Sequence, residues 1–293
     1  MMAPSSPVEE DKLDRGVQYL EKLGYRVKVT PSCYAREHYL AGSAAMRATE
    51  MNELVKDPSV DAIFFARGGF GSSAMLPLLD FREIRSQRKL MVGYSDITAL
   101  QWGIYARCGL PSLSAGMPAT DFCNKPVNPK FEEPFWKFIE TGRIDYQLTP
   151  DVTVDHAMVN GVALPGTLSV AAKLAGTSWL PSLKNTILIL EDVGESRHKI
   201  EGYLWQAKLG GWFDSSSAVL FGDFSPPEKE TFPDNPDLET ILKRIFDGSK
   251  VPYIMGIPYG HIDHKIPFPV GQEISLSLGL SVTISSTDTL FDF

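Results

Sequence analysis

Ala62-Ile63-Phe64-Phe65-Ala66 is an unbroken apolar run closed by Arg67-Gly68-Gly69. A short run without polar alternation suits a strand covered on both faces. It constrains the fold more than any other stretch, because strands of this kind belong to parallel sheets flanked by helices. Leu90–Val92 is a second such run, followed by Gly93-Tyr94-Ser95-Asp96 and a helical pattern from Ile97 to Arg107. Upstream, Glu9–Leu23 places Leu13, Val17, Leu20 and Leu23 on one helical face and stops at Gly24. Tyr25–Val29 is short and β-prone. Ala44–Lys56 is helical, with Met46, Met51 and Leu54 as its expected apolar face. Strand alternating with helix predicts an α/β fold, with a doubly wound, mostly parallel N-terminal sheet.

Residues 116–164 are less regular, with a Pro/Asn cluster from Asn124 to Pro134 and a short amphipathic stretch at Pro134–Glu140. They read as a connector between residues 1–115 and 165–293. The second half reads as a smaller, mixed α/β domain. It has helices at Val170–Leu174, Ile200–Leu209 and Leu238–Phe246. Strands are expected at Thr186–Leu190, Ala218–Phe221, Tyr253–Met255, Glu273–Leu278 and Leu280–Ser285. Two domains suit 293 residues at roughly 100–200 residues each. The 28 Lys and Arg against 36 Asp and Glu, with no basic cluster, argue against a nucleic-acid partner. No apolar run approaches the about 20 residues of a membrane span, and the first residues do not read as a signal peptide. Cys33, Cys108 and Cys123 form no C-x-x-C pair and read as reduced thiols of a cytoplasmic protein.

Four segments carry chemistry. Ser95 stands at a strand–turn–helix junction, where a serine hydroxyl projects above the sheet edge and the N–H of Asp96 points where an oxyanion would form. Either residue could instead be the helix N-cap, and Ile97 stands where G-x-S-x-G has its second glycine. Arg67-Gly68-Gly69-Phe70-Gly71 could complete an oxyanion hole, hold a carboxylate, or be a tight turn alone. Glu191 ends a buried strand, where it could orient a histidine. Glu195, close behind it, must be solvated or paired. His261 lies in a Gly/Pro-shaped loop after a strand, and Asp263 and His264 beside it raise a zinc alternative. The order Ser95, Glu191, His261 is one of the known orders of a serine triad.

Together, Arg67-Gly68-Gly69-Phe70-Gly71, Gly93-Tyr94-Ser95-Asp96-Ile97-Thr98-Ala99-Leu100, Leu190-Glu191-Asp192-Val193-Gly194-Glu195 and Gly256-Ile257-Pro258-Tyr259-Gly260-His261 resemble the successive signatures of the serine L,D-carboxypeptidases. That family contains muramoyltetrapeptide carboxypeptidases and microcin C immunity peptidases. The resemblance implies Ser95 as nucleophile, Glu191 as orienting acid and His261 as base. It also implies an oxyanion hole from the N–H groups of Asp96 and Gly69. It implies a glutamine-amidotransferase-like N-terminal domain, a homodimer, and no metal or cofactor. The implied reaction releases the terminal D-alanine of murein tetrapeptide during cytoplasmic cell-wall recycling.

Two departures stand out. Only Met1 and Met2 precede Ala3-Pro4-Ser5, so the first strand is expected to pair little. After Gly166-Thr167-Leu168 the family usually has Gly-Gly-Asn and a longer helix; this chain reads Ser169-Val170-Ala171-Ala172-Lys173 and is about five residues short. A microcin-type substrate would want an aromatic for base stacking, for which Phe131, Phe135 and Trp136 are candidates. A non-catalytic binding protein on the same fold is the alternative of another class. Arg67 is the candidate reader of the leaving residue's carboxylate, or else an internal brace paired with Asp96 or another acid.

Overall fold

The structure is a computed structural model; it describes residues 1–149, 157–229, 232, 234–279 and 281–290. Helix α1 (Glu10–Lys22) buries Leu13, Gly16 and Leu20 on one face. Gly16 lies so close to Pro118 that any Cβ would strike its carbonyl, which lets α1 pack tightly on the 118–122 turn. Helix α2 (Ala44–Lys56) is capped by Ser43, whose Oγ accepts the Met46 N–H. Its buried face holds Met51 and Leu54 as expected, but Arg47 and Glu50 are buried there too and Met46 is only half-buried.

The first sheet runs β1 (Ala62–Phe64), β2 (Leu90–Gly93), β3 (Ser112–Ser114), β9 (Phe268–Val270) in spatial order. β1, β2 and β3 are parallel, and β9 joins β3 antiparallel. Thus the last part of the chain completes the first sheet. Met2 makes one parallel bridge with Phe65: its N–H donates to Phe64 O at 3.2 Å, and Ala66 N–H donates to Met2 O at 2.8 Å. Pairing on this stretch is as short as expected. Helices α3 (Phe81–Gln87) and α4 (Thr98–Cys108) lead into β2 and β3.

The second sheet is the larger, with seven strands against four in the first. Its spatial order begins with β4 (Asp145–Leu148), β11 (Val282–Ser286), β10 (Glu273–Leu278) and β5 (Ala157–Thr167). It continues with β6 (Thr186–Val193), β7 (Ala218–Ser225) and β8 (Tyr253–Ile254). β5 to β8 are parallel; β10, β11 and β4 are antiparallel. The region read as a connector therefore contributes two strands, β4 and β5, as well as helix α5 (Pro129–Thr141). Phe131 and Phe135 of α5 are buried against Phe122, and Trp136 donates its indole N–H to Tyr19 Oη at 2.7 Å. These rings are spent on packing. Helix α6 (Leu168–Ala172) is a five-residue stub, and α7 (Arg197–Leu209) and α8 (Leu238–Ile245) cover the sheet. Leu280 lies outside the described residues. No helix among the described residues is long and apolar enough to cross a membrane. All three cysteines are free thiols.

Candidate active site

Ser95 follows β2 after one residue, Tyr94, and opens a short 3-10 turn, Ser95–Ile97, ahead of α4. Its φ is +66°, in the left-handed region that a serine rarely adopts. A helix N-cap has extended dihedrals and a side chain that accepts a helical N–H; Ser95 has neither. Its Oγ faces His261 Nε2 at 3.0 Å. Gly93 leaves room for the turn beneath, since a Cβ there would lie 3.0 Å from Ile97 Cγ1.

His261 Nδ1 lies 2.8 Å from Glu191 Oε2. An ionised carboxylate only accepts, so Nδ1 carries the proton and Nε2 is free to accept from the serine hydroxyl. Glu191 sits in β6 and is fully buried. Its other oxygen accepts the Thr167 hydroxyl from the end of the neighbouring strand β5. A Cβ at Gly260 would stand 2.9 Å from Glu191 Oε2, and φ there is +125°. Only glycine lets the His261 loop approach the carboxylate this closely. The imidazole also lies tilted on the buried Tyr94 ring, centroids 4.9 Å apart. Burial alone would depress its pKa, but the charge and hydrogen bond of Glu191 outweigh that and raise it above the ordinary 6.5.

The Gly68 backbone presses on Ser95: a Cβ on Gly68 would lie 2.8 Å from Ser95 Cβ and 3.0 Å from its Oγ. Gly69 follows at φ +116° and packs on Ser6. Among the turn and loop hydrogen bonds of the described residues, neither Gly69 N–H nor Asp96 N–H has an acceptor. The Asp96 side chain is no helix cap either. Its Oδ2 accepts from Ser5 Oγ at 2.7 Å and from Ser72 N–H at 2.8 Å, and its carbonyl accepts from Ser72 Oγ at 2.6 Å.

Arg67 makes no ion pair with Asp96. Its Nη1 donates to Pro7 O at 3.1 Å, and its buried Nε has no partner. The arginine that faces Asp96 is Arg47, fully buried, with Nε donating to Gly42 O at 3.0 Å and Nη1 to Gly71 O at 3.0 Å and to Pro4 O. Arg47, Ser5, Ser72 and Thr167 were not singled out from the sequence. Ser5 and Thr167 lie in short motifs that were; for Arg47, a helical charge carries no such signal.

Asp192 turns away from the histidine and accepts Ser169 N–H at 2.6 Å. Glu195 pairs with Lys199 at 3.1 Å, as its crowded neighbourhood requires. Asp263 and His264 are exposed, and among the described residues no three His, Cys, Asp or Glu side chains converge into a metal-holding group. A second charged pair braces the histidine loop: Lys265 Nζ contacts Asp121 Oδ1 at 2.5 Å and lies over the Tyr94 ring.

Two family models match. Residues 1–115 match the LD-carboxypeptidase N-terminal domain, and residues 160–276 match its C-terminal domain. The chain belongs to the L,D-carboxypeptidase family. Among relatives in that family, the probable murein peptide carboxypeptidase of Bacillus subtilis is 29% identical over 94% of this chain and 88% of its own. The microcin self-immunity protein of Escherichia coli is 26% identical over 94% and 88%. The solved muramoyltetrapeptide carboxypeptidase of Oxalobacter formigenes superposes with a TM-score of 0.90 at 26% identity, covering 98% of this chain and 99% of that one.

Proposed function

We propose that the protein is a serine L,D-carboxypeptidase that removes the terminal D-alanine from murein tetrapeptide. The observation that carries this reading is the hydrogen-bonded line Ser95 Oγ, His261, Glu191 at 3.0 and 2.8 Å. His261 Nε2 takes the hydroxyl proton as Oγ attacks the scissile carbonyl. Glu191 holds the tautomer and offsets the imidazolium charge. The tetrahedral oxyanion is received by the N–H groups of Asp96 and Gly69. His261 then passes its proton to the leaving amine, D-alanine departs, and water hydrolyses the acyl-serine by the reverse relay. The chemistry needs no metal or cofactor.

Arg67 reads the carboxylate of the leaving residue. Its unpartnered buried Nε supports this over an internal brace, since a buried guanidinium donor left unpaired is costly without a ligand. A glutamine-amidotransferase-like domain over residues 1–115, a C-terminal unit from about residue 165, a homodimer and a cytoplasmic location belong to the same reading.

The test is incubation with murein tetrapeptide and mass detection of free D-alanine. Release by the native protein, unaffected by EDTA and absent in Ser95→Ala, supports it. Intact tetrapeptide after prolonged incubation with folded native protein rejects it, and EDTA-sensitive release would turn attention to Asp263 and His264.

A further inference from the structure

Three side chains outside the machinery above meet where the two halves of the chain face each other. Phe70 is two residues past Gly68, which touches Ser95, so it stands within about 8 Å of chain from the nucleophile's neighbour. Its N–H is held by Ser6 Oγ at 3.2 Å, which fixes the turn, yet 53% of Phe70 is exposed. Tyr39, 64% exposed, meets it edge-on with centroids 5.7 Å apart. From the other half, Lys173 Nζ lies 5.9 Å from the Phe70 ring centroid.

Lys173 comes immediately after the α6 stub. That stub starts beside the site: Thr167 N–H donates to Thr98 Oγ1 at 3.0 Å, and the Thr167 hydroxyl donates to Glu191. The short α6 thus delivers a lysine to Phe70, in the same turn as Gly68, which packs on Ser95. None of the ion pairs among the described residues involves Lys173. The aromatic face holds the ammonium near one position while leaving its three N–H donors for something else. An exposed aromatic pair with an ammonium over one ring offers an apolar wall and a charged donor side by side, which suits a ligand with an aliphatic stem and an anionic head.

We infer that Lys173, seated on the Phe70 ring that Tyr39 meets edge-on, is a specificity residue that binds a free carboxylate on the acyl side of the scissile bond. This rests on the proposed reaction and extends it. Arg67 takes the leaving residue's carboxylate, and Lys173 takes one from the part of the peptide that stays on Ser95. Such acyl-side carboxylates of a peptide can be free or amidated, and the two forms differ in charge. In a chain of net charge −8, an anionic peptide is repelled overall, so local cations must decide which one stays. The site is therefore expected to prefer free-acid over amidated peptides.

Two tetrapeptides, one with those acyl-side carboxylates free and one with them amidated, separate the possibilities. Both keep the terminal D-alanine carboxylate. Equilibrium binding is measured calorimetrically on Ser95→Ala and on Ser95→Ala/Lys173→Met, and D-alanine release on the native, Lys173→Met and Lys173→Arg proteins. The native kcat/KM should favour the free acid about 10-fold, mostly through KM. Lys173→Met should remove that preference, Lys173→Arg should retain most of it, and the binding constants should follow the same pattern. Equal use of both peptides by the native protein, or a preference that survives Lys173→Met, overturns the inference while leaving the reaction standing. Selective binding without any release keeps the lysine's role and rejects the reaction. Neither binding nor release rejects both.

Discussion

The two halves of the molecule hold their reactive groups by different means. The first sheet has strands of only three or four residues, and Ser95 sits at the end of one. So little ladder cannot by itself fix Ser95. Side chains bonded to backbone do that work: Ser5 and Ser72 on Asp96, and Arg47 on the carbonyls of Pro4, Gly42 and Gly71. In the second sheet β5 has eleven residues, while β6 and β7 have eight each. Glu191 is placed by strand register, with Thr167 its direct partner across β5 and β6. The first half is positioned by polar bonds that one substitution can cut. The second is positioned by packed strands that yield only to loss of core.

The largest effect tests the contact that joins the two halves, Ser95 Oγ to His261 Nε2. Ser95→Ala removes one hydroxyl at a positive-φ turn, and loss of one triad member can cost on the order of 10⁴–10⁶ in kcat. Melting temperature should be unchanged or slightly higher, because alanine loses no buried partner except the histidine contact. Residual turnover within tenfold of native would remove Ser95 from the mechanism.

Next comes Glu191→Gln, which keeps the shape of the second half and removes its charge. The tautomer of His261 is then no longer enforced, and kcat should fall by about 10³–10⁴, on the pattern of other triads that lose their acid. The pH profile is the sharper reading. In the proposed reaction His261 must be neutral to act as base, so kcat/KM rises with pH through its pKa. In the native protein that midpoint should lie above 6.5, since the Glu191 charge outweighs burial. In the variant burial remains without the charge, and the midpoint should fall below 6.5. The stability sign is opposite: a raised histidine pKa stabilises the fold fully below 6.5 and loses that contribution as pH rises through the folded value. A midpoint that does not move between the two proteins would assign the acid limb to another group.

A third comparison sets Arg47→Met in the first half against Ile187→Ala in the second. The methionine leaves three buried carbonyls short of a donor, for roughly 3–5 kcal/mol. Ile187 is fully buried in β6, and its truncation should cost a similar 2–5 kcal/mol. Both should melt earlier. Only Arg47→Met should also lower kcat of the folded fraction, because the Pro4 and Gly71 turns flank Asp96 and Gly69. If both variants keep native kcat, or both lose it alike, the contrast between the halves fails.

How much of this was legible in the sequence follows the same division. The apolar runs at Ala62–Ala66, Leu90–Val92, Thr186–Leu190 and Ala218–Phe221 all contain strands, because continuous burial leaves a continuous signal. The first eight of the eleven residues of β5 read as connector because Asn160 and Gly161 interrupt the pattern. Gly161 and Gly166 are there for close approach: a Cβ on them would meet Asn185 O at 2.8 Å and Thr98 Cγ2 at 2.6 Å. β9 was missed because it is three residues long and pairs with a sheet more than 150 residues upstream in the chain. At the site, Ser95, Glu191 and His261 were readable as polar residues at strand ends. Which side chains hold Asp96 was not, since hydrogen bonds spanning 91 and 24 residues leave no local pattern.

The smallest expected effect tests how the second half tolerates a buried acid that does no chemistry in the proposed reaction. Asp192 follows Glu191 and accepts Ser169 N–H at 2.6 Å, Ser169 Oγ at 3.2 Å and Val193 N–H at 2.9 Å. Burial pushes its pKa up from 3.8 to about 6 despite those bonds, and the Glu191 charge adds to the rise. A raised folded pKa means the folded state binds the proton more tightly. Its contribution is therefore fully present below about 4 and is lost as pH rises through 6. At about 1.4 kcal/mol per pKa unit, the loss amounts to roughly 1–3 kcal/mol. Asp192→Asn keeps one carbonyl acceptor for Ser169 N–H and cannot ionise, so its melting temperature should fall less than native between pH 4 and 7. His261 titrates in both proteins and cancels in the difference. Two melting profiles that run parallel across that window would show that Asp192 is as ionised in the fold as in the open chain, and that the second half accommodates its acids at no cost.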